Sequence, residues 1–196
     1  VPRFDVAAAA RLLADAPELY PPGTVFVVVV DPGVGTARRA VVARLDNGSL
    51  VVAPDNGVLT VLLGRQQRPE VREVTNPELV RQAESATFHG RDVFAPVGGH
   101  LAAGRPFEDV GPVVADWVKL SLPEPSHSAQ ALTGEVVAID LPFGNVWTNL
   151  PADWLPAALK DRELEVQVGE QRFTVPFVAT FGDVPEGQPL LYPNSR

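Results

Sequence analysis

The apolar positions of this chain follow two periods, and the change from one to the other divides it. Val6, Ala9, Leu12 and Leu13 share one face of a helix that Asp5 is placed to cap and Pro17 to end, near Ala16. Phe26 to Val30 then run apolar without alternation, as a strand covered on both faces does, until Asp31-Pro32-Gly33-Val34-Gly35 stops it in a tight turn. Ala40–Leu45 and Leu50–Ala53 read as strands joined through the Asp46-Asn47-Gly48 turn. Pro54-Asp55-Asn56-Gly57 ends the second of them and precedes a helical pattern through Val58, Leu59, Leu62 and Leu63. A polar stretch with a short strand near Val71–Val74 leads to Thr87-Phe88-His89-Gly90-Arg91-Asp92. That segment opens a helix with Val93, Val97 and Leu101 on its apolar face, closed by Gly104-Arg105-Pro106. Further on the period is two: Leu164, Val166 and Val168 alternate with polar residues, Gly169-Glu170 turns the chain, and Phe173, Val175 and Phe177 alternate back as an antiparallel hairpin.

This pattern predicts an α/β fold in two parts. Residues 1–115 form a large α/β domain whose central sheet is mainly parallel and flanked by helices, and residues 116–130 form a connection within a Pro-, Ser- and Ala-rich stretch. Residues 131–196 form a small antiparallel β domain. A length of 196 residues with 45% hydrophobic content suffices for a buried core. A formal net charge of -8, with no cluster of Lys and Arg, excludes a nucleic-acid binder, since phosphate recognition needs concentrated positive charge. The absence of cysteine removes a disulfide framework and a thiolate zinc site. Val27–Val30, like every other aliphatic run in the chain, is too short to cross a bilayer, so no membrane association and a cytoplasmic location are expected. His100 and His127 lack partners at metal-ligand spacing, so no metal site is expected. The chain starts at Val1 without methionine and stops after Leu190-Leu191-Tyr192-Pro193-Asn194-Ser195-Arg196, a strand entering a turn, and both ends read as cut.

Candidate chemistry collects at element ends: Asp31 with Arg38 and Arg39, Asp55 with Asn56, and His89 with Arg91 and Asp92. The carboxyl end of a strand is where open α/β sheets bind ligands. A carboxylate, a guanidinium and an imidazole brought together can orient and deprotonate a water molecule. The same spacing also fits surface ion pairs and turn caps. Gly33-Val34-Gly35 lacks the third glycine and downstream acid of a dinucleotide fingerprint, and no phosphate-loop lysine follows it. Phe143-Gly144-Asn145-Val146-Trp147-Thr148-Asn149 reads as a loop able to hold a flat, hydrogen-bonding ligand. Phe143, Trp147 and Phe181 equally suit a β-domain core.

Four motifs in order, Asp31-Pro-Gly-Val-Gly-Thr-Ala-Arg38-Arg39, Ala53-Pro-Asp-Asn-Gly57, Phe88-His-Gly-Arg-Asp92 and Phe143-Gly-Asn-Val-Trp-Thr-Asn149, resemble the S-adenosyl-L-methionine hydroxide adenosyltransferases, relatives of the fluorinase and chlorinase enzymes. The resemblance implies an α/β domain joined to a small C-terminal β-barrel-like domain, in a homotrimer that binds S-adenosyl-L-methionine between the large domain of one subunit and the small domain of the next. It implies attack of water or hydroxide on ribose C5′, giving adenosine and L-methionine, with S-adenosyl-L-methionine as substrate and no cofactor. Asp31, Arg38 and His89 match the set that handles the water, with either Asp31 or His89 as the base. Phe143, Asn145 and Phe181 match positions that meet the adenine, and Ser195 and Arg196 match the turn that receives the methionine end. Asp55 and Asn56 are assigned to the substrate site with them. The halogenases resemble the chain less at the nucleophile, having Tyr in place of Asp31 and of His89, and the fluorinase has Ser in place of Gly90. The alternatives are a halogenase using chloride or fluoride, and a non-catalytic binder of an adenosyl ligand. The family's first strand, its Thr-Asp-Phe-Gly-type loop and the strand beyond Arg196 have no counterpart in this sequence.

Overall fold

Asp5 does cap the first helix: its carboxylate accepts from the Ala8 N–H at 2.8 Å and starts α1 (Val6–Asp15), which a short 3-10 turn containing Pro17 brings to an end. The structure, a computed structural model, describes residues 1–82 and 86–193. It divides into two compact units, Val1–Leu122 and Pro123–Arg196.

In the first unit β1 (Val25–Val27), β2 (Ala40–Arg44), β3 (Leu50–Pro54) and β4 (Glu70–Glu73) form one sheet in the order β1-β3-β2-β4. Among the described residues only the β1–β3 pair of this sheet is parallel; β2 runs antiparallel to both β3 and β4, so the sheet is mixed rather than mainly parallel. The reason is local. The Asp46-Asn47-Gly48 turn closes β2 on β3 as a hairpin, and a tight hairpin can only be antiparallel.

Helices cover both faces of this sheet, which accounts for its unbroken apolar runs. Val41, Ala43, Val51 and Ala53 pack with Ala9 and Leu13 of α1 and with Leu62 and Leu63 of α2 (Thr60–Gly64). Val42 and Val52 point the other way, into a cluster with Val97 and Leu101 of α3 (Ala95–Ala102) and with Phe94. β1 ends at Val27, short of the expected run to Val30, and lies at the edge of the sheet among the described residues; Val27 and Val29 are half exposed rather than covered on both faces. A Cβ at Gly98 would overlap the Val27 side chain.

Among the described residues the strands of the second unit form three two-stranded antiparallel sheets: β5 (Ser126–His127) with β6 (Leu132–Thr133), β7 (Val136–Asp140) with β8 (Asn145–Thr148), and β9 (Glu163–Val168) with β10 (Gln171–Pro176). The last is the hairpin expected from the period of two, with Phe173 opposite Val166 and Val175 opposite Leu164. Among the described residues these sheets do not join into a closed barrel. The stretch expected to be a ligand-holding loop, Phe143 to Asn149, is instead mostly strand β8 after a turn at Gly144, because Val146, Trp147 and Thr148 favour a pleated backbone.

Candidate active site

Three of the residues singled out at element ends meet in the first unit. Beyond β1 the chain turns through Pro32–Gly35, where the N–H of Val34 donates to the Asp31 carbonyl at 3.3 Å. Gly35 has φ +81° there, and a Cβ on it would meet the Ala86 carbonyl oxygen at 3.2 Å. The turn returns Arg38 to Asp31, four residues beyond the end of β1. Its Nη2 donates to Asp31 Oδ2 at 2.5 Å, and the same nitrogen lies 2.9 Å from Nδ1 of His89. Nη1 donates to the Arg39 carbonyl at 2.9 Å, and the guanidinium lies over the Phe94 ring, 5.2 Å from its centroid. The Arg38 and Asp31 side chains are only 7% and 4% exposed.

Arginine has donors and no acceptor, so the contact at His89 has one polarity. Nδ1 accepts, which leaves the ring hydrogen on Nε2. His89 therefore offers its surroundings a donor, its free lone pair being engaged by Arg38. Asp31 is the opposite case. Its Oδ2 accepts from Arg38, while Oδ1 is buried with no hydrogen-bond partner among the described residues, so the carboxylate keeps accepting capacity.

Arg38 and Arg39 stand together in the sequence but serve different sites, because consecutive side chains entering a strand point to opposite faces. Arg39 Nε donates to Asp55 Oδ2 at 2.8 Å, and its Nη1 and Nη2 donate to the carboxylate and carbonyl of Asp116, each at 2.9 Å. These acceptors hold the guanidinium proton more tightly than usual, the hydrogen bond to Asp116 contributing most and that to Asp55 next. The other oxygen of buried Asp55 accepts from the Val118 N–H at 2.8 Å. Asn56 donates to the Val30 carbonyl at 2.8 Å and accepts from the Val58 N–H at 3.2 Å. The polar groups of Asp55 and Asn56 thus tie β3 to the 116–118 segment and to the end of the β1 run.

His89 likewise separates from its neighbours. Arg91 turns to Asp92, donating through Nε and Nη2 at 2.8 Å each, and covers the Phe88 ring. Phe94 is the site residue that sequence reasoning missed. It looks like one more core aromatic, and its contact with Arg38 depends on the helical turn that carries it.

The remaining candidates belong to the second unit. Phe143 is 81% exposed in the β7–β8 turn, and Asn145 opens β8 opposite Asp140. Phe181, 72% exposed, meets Tyr192 edge-on with ring centroids 6.5 Å apart. His127 packs edge-on against Trp154, and His100 is exposed on α3. Ser195 and Arg196 lie outside the described residues. Among the described residues no three His, Cys, Asp or Glu side chains gather as metal ligands would, and no helix is long and apolar enough to cross a membrane.

Comparison with known proteins places this geometry in a wider set. The family model for the SAM hydroxide adenosyltransferase N-terminal domain matches residues 1–111, and that for the C-terminal domain matches residues 134–196. The (R)-S-adenosyl-L-methionine hydrolase of Salinispora tropica is 40% identical over 200 residues, covering 100% of this chain and 72% of its own length. The fluorinase of an Actinoplanes species is 32% identical, covering 98% of this chain and 74% of its own. Among solved structures, an uncharacterized conserved protein from Thermotoga maritima superposes with a TM-score of 0.92 at 42% identity, over 100% of this chain and 75% of that one.

Proposed function

The chain belongs to the SAM hydroxide adenosyltransferase family, and on that premise we propose that it hydrolyses S-adenosyl-L-methionine to adenosine and L-methionine. The observation that carries the reading is Arg38 held between the carboxylate of Asp31 and the imidazole of His89. Water attacks ribose C5′ in line with the departing sulfur. The C5′–O bond forms as the C5′–S bond breaks, the sulfonium leaves as a neutral thioether, and one proton must be taken from the water. No acid is needed for the leaving group, so the burden falls on presenting and deprotonating the nucleophile.

The hydrogen-bond polarity supports one division of these tasks. Asp31 is the proton acceptor, because its carboxylate has unused accepting capacity while the free lone pair of His89 is turned to Arg38. His89 positions the oxygen or a ribose hydroxyl through Nε2–H. A carboxylate facing the nucleophile also disfavours a halide, since like charges repel at short range. The higher identity to the hydrolases of Salinispora and Thermus thermophilus, 40–42% against 32–33% to fluorinases, supports water over halide as well.

Phe143, Asn145 and Phe181 would receive the adenine, and Ser195 and Arg196 the methionine end, in a homotrimer whose substrate lies between the large unit of one subunit and the small unit of the next. Exposed Ile139, Leu141, Phe143 and Val146 on and around the β7–β8 hairpin support such an assembly, since apolar side chains clustered at the surface are suited to an interface. Asp55 and Asn56 act from behind the substrate, shaping the strand ends.

The test is incubation with S-adenosyl-L-methionine in ¹⁸O-water, with and without chloride or fluoride, followed by separation of nucleosides. Equimolar methionine and adenosine labelled at the 5′-oxygen are expected under all conditions. A 5′-halo-5′-deoxyadenosine would identify a halogenase. Tight binding with unreacted substrate would identify a non-catalytic binder.

A further inference from the structure

His89 and Phe94 are five residues apart, yet both touch the guanidinium of Arg38, one through Nδ1 and the other through its ring face. In an α-helix five residues advance by about 500°, which leaves the two side chains about 140° apart, too far round to meet one group together. A π turn over Gly90–Phe94 removes the difficulty. Within it the N–H of Ala95 donates to the carbonyl of Gly90, five residues back, and this wider turn brings side chains five apart toward one face.

The turn is pinned from inside by Asp92, whose side chain is 3% exposed. Its carboxylate accepts both bonds from Arg91, its carbonyl accepts from the Arg81 N–H at 2.8 Å, and its own N–H donates to the Phe88 carbonyl at 3.0 Å. Neighbouring side chains on a helix do not ordinarily face one another. A two-pronged ion pair between consecutive residues therefore clamps the local geometry of this turn. On the opposite side Phe94, fully buried, supports the plane of the Arg38 guanidinium and leaves its edge free to donate to Asp31 and His89.

We propose that Phe94 and Asp92 are positioning residues for the reaction. Phe94 seats the Arg38 guanidinium between Asp31 and His89, and Asp92 fixes the wide turn that delivers Phe94 and His89 to that one guanidinium. This rests on the role given above to Arg38 and extends it to two residues that need not touch substrate.

Two variants test it. Phe94→Leu keeps an apolar side chain and removes the ring, while Asp92→Asn keeps the shape and removes the charge. For each, kcat and KM for S-adenosyl-L-methionine are measured, and the ring nitrogens of His89 are observed by ¹⁵N NMR, assigned with His89→Gln. Both variants should lose about 10- to 100-fold in kcat, as expected for a displaced catalytic group, with KM within about twofold. The Nε2–H signature of His89 in the unaltered chain should give way to a mixture of tautomers. A folded variant with unchanged kcat, or one with an unchanged His89 signature, overturns the proposal. If the unaltered chain releases no adenosine, the hydrolase reading fails, and the NMR comparison still decides whether Phe94 and Asp92 hold His89 in place. If Phe94→Leu does not fold, Asp92→Asn carries both readouts.

Discussion

Replacing Asp31 by Asn separates the charge of this carboxylate from its shape. The Asn amide oxygen can still accept from Arg38 Nη2, the partner that Asp31 holds at 2.5 Å, but it cannot take a proton from water. A general base in such a position contributes roughly 10²- to 10⁴-fold, which is about 2.7–5.5 kcal/mol of barrier at about 1.36 kcal/mol per decade. The structural cost runs in parallel. Breaking a buried ion pair outright costs about 3–5 kcal/mol, and because both partners are almost fully buried, Asp31→Ala would incur most of that. The Asn variant keeps a hydrogen bond and should lose about 1–3 kcal/mol, leaving it folded at the assay temperature. Adenosine release followed by chromatography, with substrate affinity by calorimetry, should show kcat at least about 100-fold lower and Kd within about threefold. Turnover within about tenfold of the unaltered chain would mean that the proton goes elsewhere. Should His89→Gln be the more damaging of the two, the base is the imidazole and the hydrogen-bond polarity argued for Nδ1 is mistaken.

Asp55→Asn removes the anion that Arg39 and the Val118 N–H converge on, and should lower unfolding stability by about 2–3 kcal/mol in urea titration while KM stays within about twofold; a large rise in KM without loss of stability would return Asp55 to the substrate. Acid should act through Asp92, whose carboxyl Arg91 holds below the ordinary aspartate value, chiefly by hydrogen bonding. Its stabilising contribution is complete above the unfolded value of about 3.9 and is lost as pH falls through the lower folded value. The stability gap between the unaltered chain and Asp92→Asn, followed by urea midpoints, should therefore narrow below about pH 4; a constant gap would show that the charge contributes nothing. Gly57→Ala places a Cβ at φ +96°, 2.6 Å from Leu120 carbons, and thermal melts should show a loss of about 2–4 kcal/mol from overpacking and backbone strain together; an unchanged melting temperature would mean that the 116–120 segment moves aside freely.

The local signals in this chain determined its elements and the positions of its polar groups. Asp5 caps a helix because a carboxylate before an apolar face meets free N–H groups. Asp55 and His89 stand at element ends because proline, glycine and the change of period put the breaks there, whereas Asp31 lies four residues beyond the end of β1 at Val27. The β9–β10 hairpin followed from the alternation of apolar residues on either side of the Gly169-Glu170 turn, since side chains on a strand have a period of two. Tertiary structure decided the rest. That Arg38 rather than Arg39 meets Asp31 depends on which face each side chain takes, and that His89 leaves Arg91 and Asp92 for a residue 51 positions away depends on chain return. Phe94 joins them only through a π turn, whose five-residue closure has no signature in apolar spacing. Periodicity reports which side of an element is buried; only the packed chain settles which buried groups share a hydrogen bond, because that depends on ångström distances between segments far apart in sequence.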